Sequence, residues 1–395
     1  MLTERLEFAP ESDARIFAMV PAAPAVFLLR GDDAQAEPYV SKTANLRRRL
    51  QRLLGPVEER TKKLNLRDRV RWIDYSATSS DFESSFLLYQ VLREEFPKTY
   101  ANRMRFRFAP LVKLHLENQY PRASITTRLG RITGRALYYG PFQSRTAAEK
   151  FMNDSLDFFK MRRCVDDLHP DPTFPGCIYS EMKMCLAPCF KGCTDEDYSG
   201  EVNRVQAYLD SGGESLAREF SAQREAASAN LAFEDAATIH SRLEKLKLIL
   251  SQFPEIVHRL DRLSALIVQP CQQPDSVTFF LVRNATIAGP YLFCIQPAEH
   301  TKSQSMESRV LAILDACPAA KSLSALETME HLALLKRWYY RGSRVGEIFL
   351  VDDKNAFPMR RIVRGIGRVL RGEKREDNSV LESQGSAGSL PLSSS

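Results

Sequence analysis

No apolar run in this chain reaches the length that crosses a bilayer as a helix, so no membrane-spanning helix is expected. A secretory signal is missing as well. Residues 1–20 carry Glu4, Glu7, Glu11 and Asp13, and Pro21 and Pro24 break the apolar stretch beyond them. Those residues read as a short leader and the protein as cytoplasmic. None of the eight cysteines forms a Cys-x2-Cys pair, so the common zinc-knuckle patterns are not met. No aspartate triad is clustered anywhere; Asp352 and Asp353 alone read as a strand-end turn. The surplus of charge is small, +6 over 395 residues.

What is present is unevenly spread. Lys42 to Arg71 holds eleven Lys/Arg against three acids, and Ala101 to Arg145 nine against one. Basic stretches interleaved with aromatic residues suit a nucleic-acid backbone, where cations displace counterions and rings stack on bases. The plainer alternative is a solvated basic face. Five cysteines crowd between Cys164 and Cys193. Such thiols share a disulfide framework, a metal or an iron–sulfur cluster, and a reducing cytosol argues against the disulfides.

The length predicts two to four domains. Ala25–Leu29 and Tyr39–Ser41 read as strands, and Thr43 or Asn45 can cap a basic helix reaching Leu54. Val70–Ser76 is a further strand. Ser79, Ser80 or Asp81 can cap a helix from Phe82 to Phe96, with Phe82, Phe86, Tyr89 and Val91/Leu92 on its apolar face. The order is β-β-α-β-α.

Pro24-Ala-Val-Phe-Leu-Leu, followed by Tyr39-Val-Ser-Lys-Thr-Ala-Asn-Leu-Arg-Arg-Arg49, resembles a GIY-YIG nuclease domain of the kind found in the UvrC family of nucleotide excision repair. The resemblance implies that Tyr39, Lys42, Asn45 and Arg49 hold the family's second Tyr, its Lys, its Asn and its catalytic Arg. Phe27 stands at the Tyr of Gly-Ile-Tyr and Ser41 at a family Gly. Anchored on Pro97, Glu83 aligns with a non-catalytic Glu and Leu88 with the metal-binding Glu. Metal-assisted hydrolysis needs a carboxylate for Mg²⁺ or Mn²⁺ and a group that activates water. A phenyl ring and an isobutyl group supply neither. The expectation is a degenerate nuclease fold that keeps its basic surface; an active, metal-dependent endonuclease is the alternative.

Tyr138-Tyr139-Gly140-Pro141-Phe142 resembles the segment that leads into the cysteine region of UvrC. The spacing Cys164-x12-Cys177-x7-Cys185-x3-Cys189, with Cys185-Leu-Ala-Pro-Cys189, resembles the family's cluster-binding run. It implies a [4Fe-4S] cluster on Cys164, Cys177, Cys185 and Cys189. Structural zinc or buried free thiols are the alternatives, and Cys193 has no counterpart.

Thr194-Asp-Glu-Asp opens a helix, and two more follow, Ser215–Asn230 and Phe233–Phe253. Their join, with Phe233, Glu234, Ala236 and Ala237, resembles the UVR motif, which implies docking on a UvrB-like protein. An ordinary internal αα-hairpin is the plainer reading. Strands are expected at Ser264–Val268, Ser276–Val282, Thr286–Cys294 and Gly346–Val351, helices at Met306–Cys317 and Ala325–Tyr340. Trp338-Tyr339-Tyr340-Arg341 either closes a core or stacks on nucleic acid. Arg360 to Arg375 reads as a phosphate-facing helix or exposed surface.

The expected fold class is α+β and multidomain: leader 1–20, GIY-YIG-like domain 21–102, basic linker and cysteine-cluster domain 103–200, helical region with the UVR hairpin 201–253, α/β region 254–371 and a Ser/Gly-rich disordered tail 372–395. The resemblance fades after about residue 300, and the family's RNase H-like and helix-hairpin-helix domains have no counterpart. The expected function is a DNA-binding, UvrB-binding repair protein; a nucleic-acid binder outside repair is the third reading.

Overall fold

Asn45 begins the first long helix as predicted. Its side chain accepts the Arg48 N–H at 2.9 Å, satisfying a donor that the helix start would otherwise leave open. The computed structural model describes residues 2–33, 35–56, 64–130, 136–165, 168–296, 304–317, 323–352 and 356–373. The tail expected to be disordered therefore falls, from residue 374 on, outside the described residues. Two units are present. One combines Met1–Ala109, residues 127–131 and Asp261–Gly372; the other combines Pro110–Thr126 with Ile132–Leu260.

The first unit starts with β1 (Glu4–Glu7), α1 (Asp13–Met19), β2 (Ala25–Arg30), β3 (Tyr39–Thr43), α2 (Leu46–Leu54), β4 (Trp72–Ala77), α3 (Asp81–Glu95) and α4 (Tyr100–Met104). The run β2-β3-α2-β4-α3 has the predicted order. All pairings in its sheet, ordered β1-β4-β2-β3, are antiparallel. Strand β2 is apolar throughout because both its faces are covered. Ala25, Phe27 and Leu29 meet a cluster with α1 and α2, whereas Val26 and Leu28 meet Leu87, Leu88 and Val91 of α3. The first twenty residues are more than a leader. Strand β1 extends the sheet along β4, and Phe8, Ile16 and Phe17 lie in the core.

The second unit holds β5 (Leu111–His115), β6 (Ala123–Thr126), β7 (Ala136–Gly140), α5 (Arg145–Leu156), α6 (Ile178–Glu181), α7 (Asp195–Asp210), α8 (Glu214–Ala229), α9 (Phe233–Ser251) and β8 (His258–Arg259). Its sheet is ordered β6-β5-β7-β8. Because β8 returns to pair Tyr139 with Arg259, the boundaries expected at 200 and 253 do not divide this unit. An aromatic core joins its helices. Phe151 packs on Phe253 at 4.7 Å between centroids, and the Tyr208 hydroxyl bonds Ser155 Oγ at 2.9 Å.

The chain then rejoins the first unit with β9 (Ala265–Pro270), β10 (Ser276–Arg283), β11 (Thr286–Cys294), α10 (Met306–Ala316), α11 (Ala325–Tyr339), β12 (Glu347–Leu350) and α12 (Met359–Arg371). The sheet order is β11-β10-β9-β12. The predicted Asn284-Ala285 turn is present with both residues left-handed, φ 49° and 61°, as a tight hairpin requires. Helices α10 and α12 cover one face of the sheet. Gly365 permits that packing: a Cβ there would lie 2.1 Å from the Phe349 ring.

The N-terminal module and the C-terminal α/β region, expected as separate domains, share this unit. The apolar face of α3 is the reason. Phe82 packs edge-on to Phe280 at 5.0 Å and against Trp338 at 5.2 Å, and Phe86 reaches Phe280 and His331. Trp338 closes a core here, its indole N–H donating to the Val345 carbonyl at 3.0 Å.

Candidate functional site

The residues that carry the nuclease resemblance divide between two faces of the first sheet. Alternation along β3 sends Tyr39 to the α2 side and Lys42 to the α3 side. On the first face Arg49 Nη2 donates to the Tyr39 hydroxyl at 2.7 Å, and Phe27, fully buried, packs 6.0 Å from the Tyr39 ring. Arg49 Nε is buried without a hydrogen-bond partner among the described residues. On the second face Lys42 Nζ donates to Asp81 Oδ1 at 2.6 Å and Ser85 Oγ at 2.8 Å. Arg341 Nη1 holds the other Asp81 oxygen at 2.7 Å.

Leu88 sits on that second face among Val26, Leu28, Val40 and Val91, in hydrocarbon. Glu83 is occupied with starting α3. Its carboxylate accepts the Ser79 N–H at 2.8 Å while its own N–H donates to Ser80 Oγ at 3.1 Å, close to a capping box. Burial pushes the Glu83 carboxyl up, with the Ser79 bond opposing. So the structure brings Tyr39, Arg49 and Phe27 together, and separately Lys42 and Asp81. It does not bring position 88 to Arg49. Among the described residues no group of three or more His, Cys, Asp or Glu is arranged to hold a metal ion.

The four cysteines of the spaced run lie on turns beside α7. Each is half-buried and free. The segment is shaped by left-handed residues, Ala187 at φ 58° and Lys191 at φ 59°, on either side of the short turn Pro188–Phe190. Backbone bonds hold it down: Leu186 N–H to the Lys160 carbonyl at 3.0 Å, and Asp171 N–H to the Cys189 carbonyl at 2.8 Å. Burial pushes the Cys185 thiol up to about 11; the Ala187 N–H opposes this, and the charges of Cys164, Cys189 and Cys177 add to it. Burial, then Cys177 and Cys164, also raise Cys189. The thiols of Cys164, Cys177 and Cys189 thus lie near enough to Cys185 to act on it, but among the described residues no three of these thiols are arranged to hold a metal ion. Cys193 differs in degree: its thiol is raised by burial, then by Asp197 and Asp195, and last by Cys189.

A cation is buried beside them. Arg162, 3 % exposed, donates through Nε to the Tyr120 carbonyl at 2.9 Å and points Nη1 at Cys164 Sγ, 3.5 Å away. Its backbone N–H donates to the Tyr198 hydroxyl at 3.0 Å, which in turn donates to the Pro121 carbonyl at 2.8 Å. Sequence reading passed over Arg162, whose signal was only its place two residues before Cys164.

Residues 110–208 match the family model described as the UvrC/Cho excinuclease middle domain. Over part of its length the chain is similar to UvrC proteins. The UvrABC system protein C of Rickettsia canadensis (strain McKiel) is 29% identical over 211 residues, covering 53% of this chain and 33% of the relative. That of Rickettsia bellii (strain RML369-C) is 30% identical over 215 residues, with the same shares. The UvrC-like chain spans about a third of the length of the curated relatives it matches. No solved structure matches it. The match takes in β5 through most of α7, and so all four spaced cysteines and Arg162.

The helical hairpin of the UvrC-like chain has an anchored base and a bare tip. At the base Leu216, Phe220, Leu243 and Leu246 are buried, Phe158 meets Phe220 at 5.9 Å, and the Arg242 guanidinium lies over Phe220 at 4.6 Å. At the tip Leu231 is 73% and Phe233 64% exposed. Glu234 and Ala237 are exposed too, and Ala236 is half-buried. Among the described residues no helix is long and apolar enough to cross a membrane.

Proposed function

We propose that this UvrC-like chain is a DNA-binding repair protein that docks on a UvrB-like partner and does not itself cut DNA through its GIY-YIG-like face. One observation carries the reading. The positions that would supply an activating hydroxyl and a metal-binding carboxylate hold Phe27, buried against Tyr39, and Leu88, packed among aliphatic side chains. Glu83 does not replace the lost carboxylate, because its oxygen is bonded to the start of α3. What remains of the site, Tyr39 with Arg49 and Lys42 with Asp81, binds charge rather than activating water.

Cys164, Cys177, Cys185 and Cys189 would hold a [4Fe-4S] cluster. The donor types fit, since Cys164, Cys177 and Cys189 act on the Cys185 thiol and the buried Arg162 cation beside Cys164 would balance a thiolate-bound cluster; binding would have to draw the four thiols closer than they now stand. Zinc fits less well, since it draws four thiolates to about 2.3 Å from one ion. Such a cluster would tie the turns of 164–189 to α7 and stiffen this unit. The bare Leu231–Phe233 tip supports partner docking over internal packing, because an exposed aromatic anchor beside small Ala236 and Ala237 suits a second helical hairpin.

The test is an incision assay on lesion-containing duplex with UvrA and UvrB, with and without this protein, in Mg²⁺ and in Mn²⁺. The expected result is binding without a new nick. A metal-dependent nick that Glu83→Ala or Arg49→Ala abolishes would sink the reading.

A further inference from the structure

The first unit gathers three cations around a single carboxylate. Asp81 accepts from Lys42 at 2.6 Å and from Arg341 at 2.7 Å, and the charges of both, with that of Arg337, act on it. Burial would raise the Asp81 carboxyl, yet the Lys42 bond and these cations hold it below its ordinary value. Arg337 is exposed and forms no ion pair among the described residues. The side chains of Asp81 and Arg341 are about half exposed, 48% and 52%, so the group faces solvent. Lys42 comes from β3, whereas Arg337 and Arg341 come from the end of α11 and the turn after it, far away in sequence.

Three cations with one carboxylate leave positive charge uncompensated at an exposed place. Ion pairs at this exposure are weak and exchange readily for another anion. A phosphodiester carries the same single charge as a carboxylate and accepts the same bidentate or bridging hydrogen bonds from arginine and lysine. We propose that Lys42, Arg337 and Arg341 form a composite site for a DNA backbone phosphate, which Asp81 occupies in the free protein. Asp81 is then an internal competitor: DNA must displace it. The site draws on both β3 and the C-terminal region, which the packing of α3 brings together. The proposal rests on the DNA-binding reading above and adds a place for it.

The experiment is fluorescence anisotropy of a labelled duplex against the full-length protein over a range of salt. Asp81→Asn should tighten binding about two- to fivefold, the factor that corresponds to breaking exposed ion pairs. Arg341→Ala and Lys42→Ala should each weaken binding and lower the slope of log K against log salt by about one. In the Lys42→Ala/Arg341→Ala background the gain from Asp81→Asn should vanish. If Asp81→Asn lowers the melting temperature, Asp81→Ser, which keeps a small polar residue at the helix start, takes its place. A folded Asp81 variant that binds no tighter, or an Arg341→Ala protein with unchanged slope, overturns the site while leaving DNA binding intact. Wild-type protein that binds no duplex overturns the DNA-binding reading and the site with it.

Discussion

His331 lies between α3 and β11, and its ring shows how packing sets a charge state. Nδ1 accepts the Ile287 N–H at 2.9 Å, so the proton of the neutral ring is on Nε2. Burial, opposed by Glu327 and assisted by Arg93, pushes its pKa down to about 4. The unfolded chain takes up a proton near 6.5, so between those values the unfolded state binds more protons and stability rises with pH. That contribution is present above about pH 6.5 and is lost as pH falls to about 4; its full size is of the order of 3 kcal/mol. Urea unfolding at pH 7 and pH 5 should show the loss, and His331→Gln, which can still accept from Ile287, should flatten it. A pH profile that is the same in wild type and variant would contradict this account. The residue scale also explains why position 88 was legible and Asp81 was not. A leucine where the resemblance implies a metal-binding Glu is visible in the letters alone; that an aspartate at a helix start bridges Lys42 and Arg341 is not.

At the scale of elements, α3 and α11 are joined by polar groups inside an aromatic interface. Glu330, with no exposed surface, accepts from the hydroxyls of Tyr89 and Tyr100, both at 2.8 Å. Arg93 pairs with Glu327 one turn earlier. Burial and then Glu330 raise both phenols, Tyr100 up to about 12. Glu330→Ala strands two hydroxyls and should cost about 2–4 kcal/mol in urea unfolding, more than Tyr100→Phe, which removes one bond. The hairpin divides along its length in the same way. Phe220→Ala at its buried base should cost about 3–5 kcal/mol. Phe233→Ala at its exposed tip should change stability by less than about 0.5 kcal/mol, yet weaken capture of a UvrB-like protein in a pull-down with Glu234→Ala. Undiminished capture would leave the hairpin as ordinary scaffold. Helix starts were readable to within a residue or two, because Asn45 and Ser80 are among the candidate caps and Thr194 caps where the pattern placed it. The short strands β1, β5 and β8 were not singled out: each is five residues or fewer, and β1 and β8 exist by pairing with strands distant in sequence.

At the scale of the whole molecule, the thiol cluster can be tested as a unit of stability. Protein purified without oxygen should carry iron, and Cys185→Ser should lose it and melt at lower temperature, because ligation energy is folding energy. Cys193→Ser should keep both, since its thiol is acted on chiefly by Asp197 and Asp195 and by only one of the four spaced cysteines, Cys189. Zinc without iron in the wild type would overturn the cluster.

The sequence alone determined most of the elements and the spacing of the four cysteines. Caps, period-2 runs and the Cys164–Cys189 pattern are local, and local preferences act whatever the rest of the chain does. Tertiary structure decided the rest, because burial joins residues that no spacing relates. It placed Tyr39 and Lys42 on opposite faces of one sheet and enclosed Arg162 beside Cys164. It also joined the first hundred residues to the last hundred described through the aromatic face of α3, and so set Arg341 against Asp81.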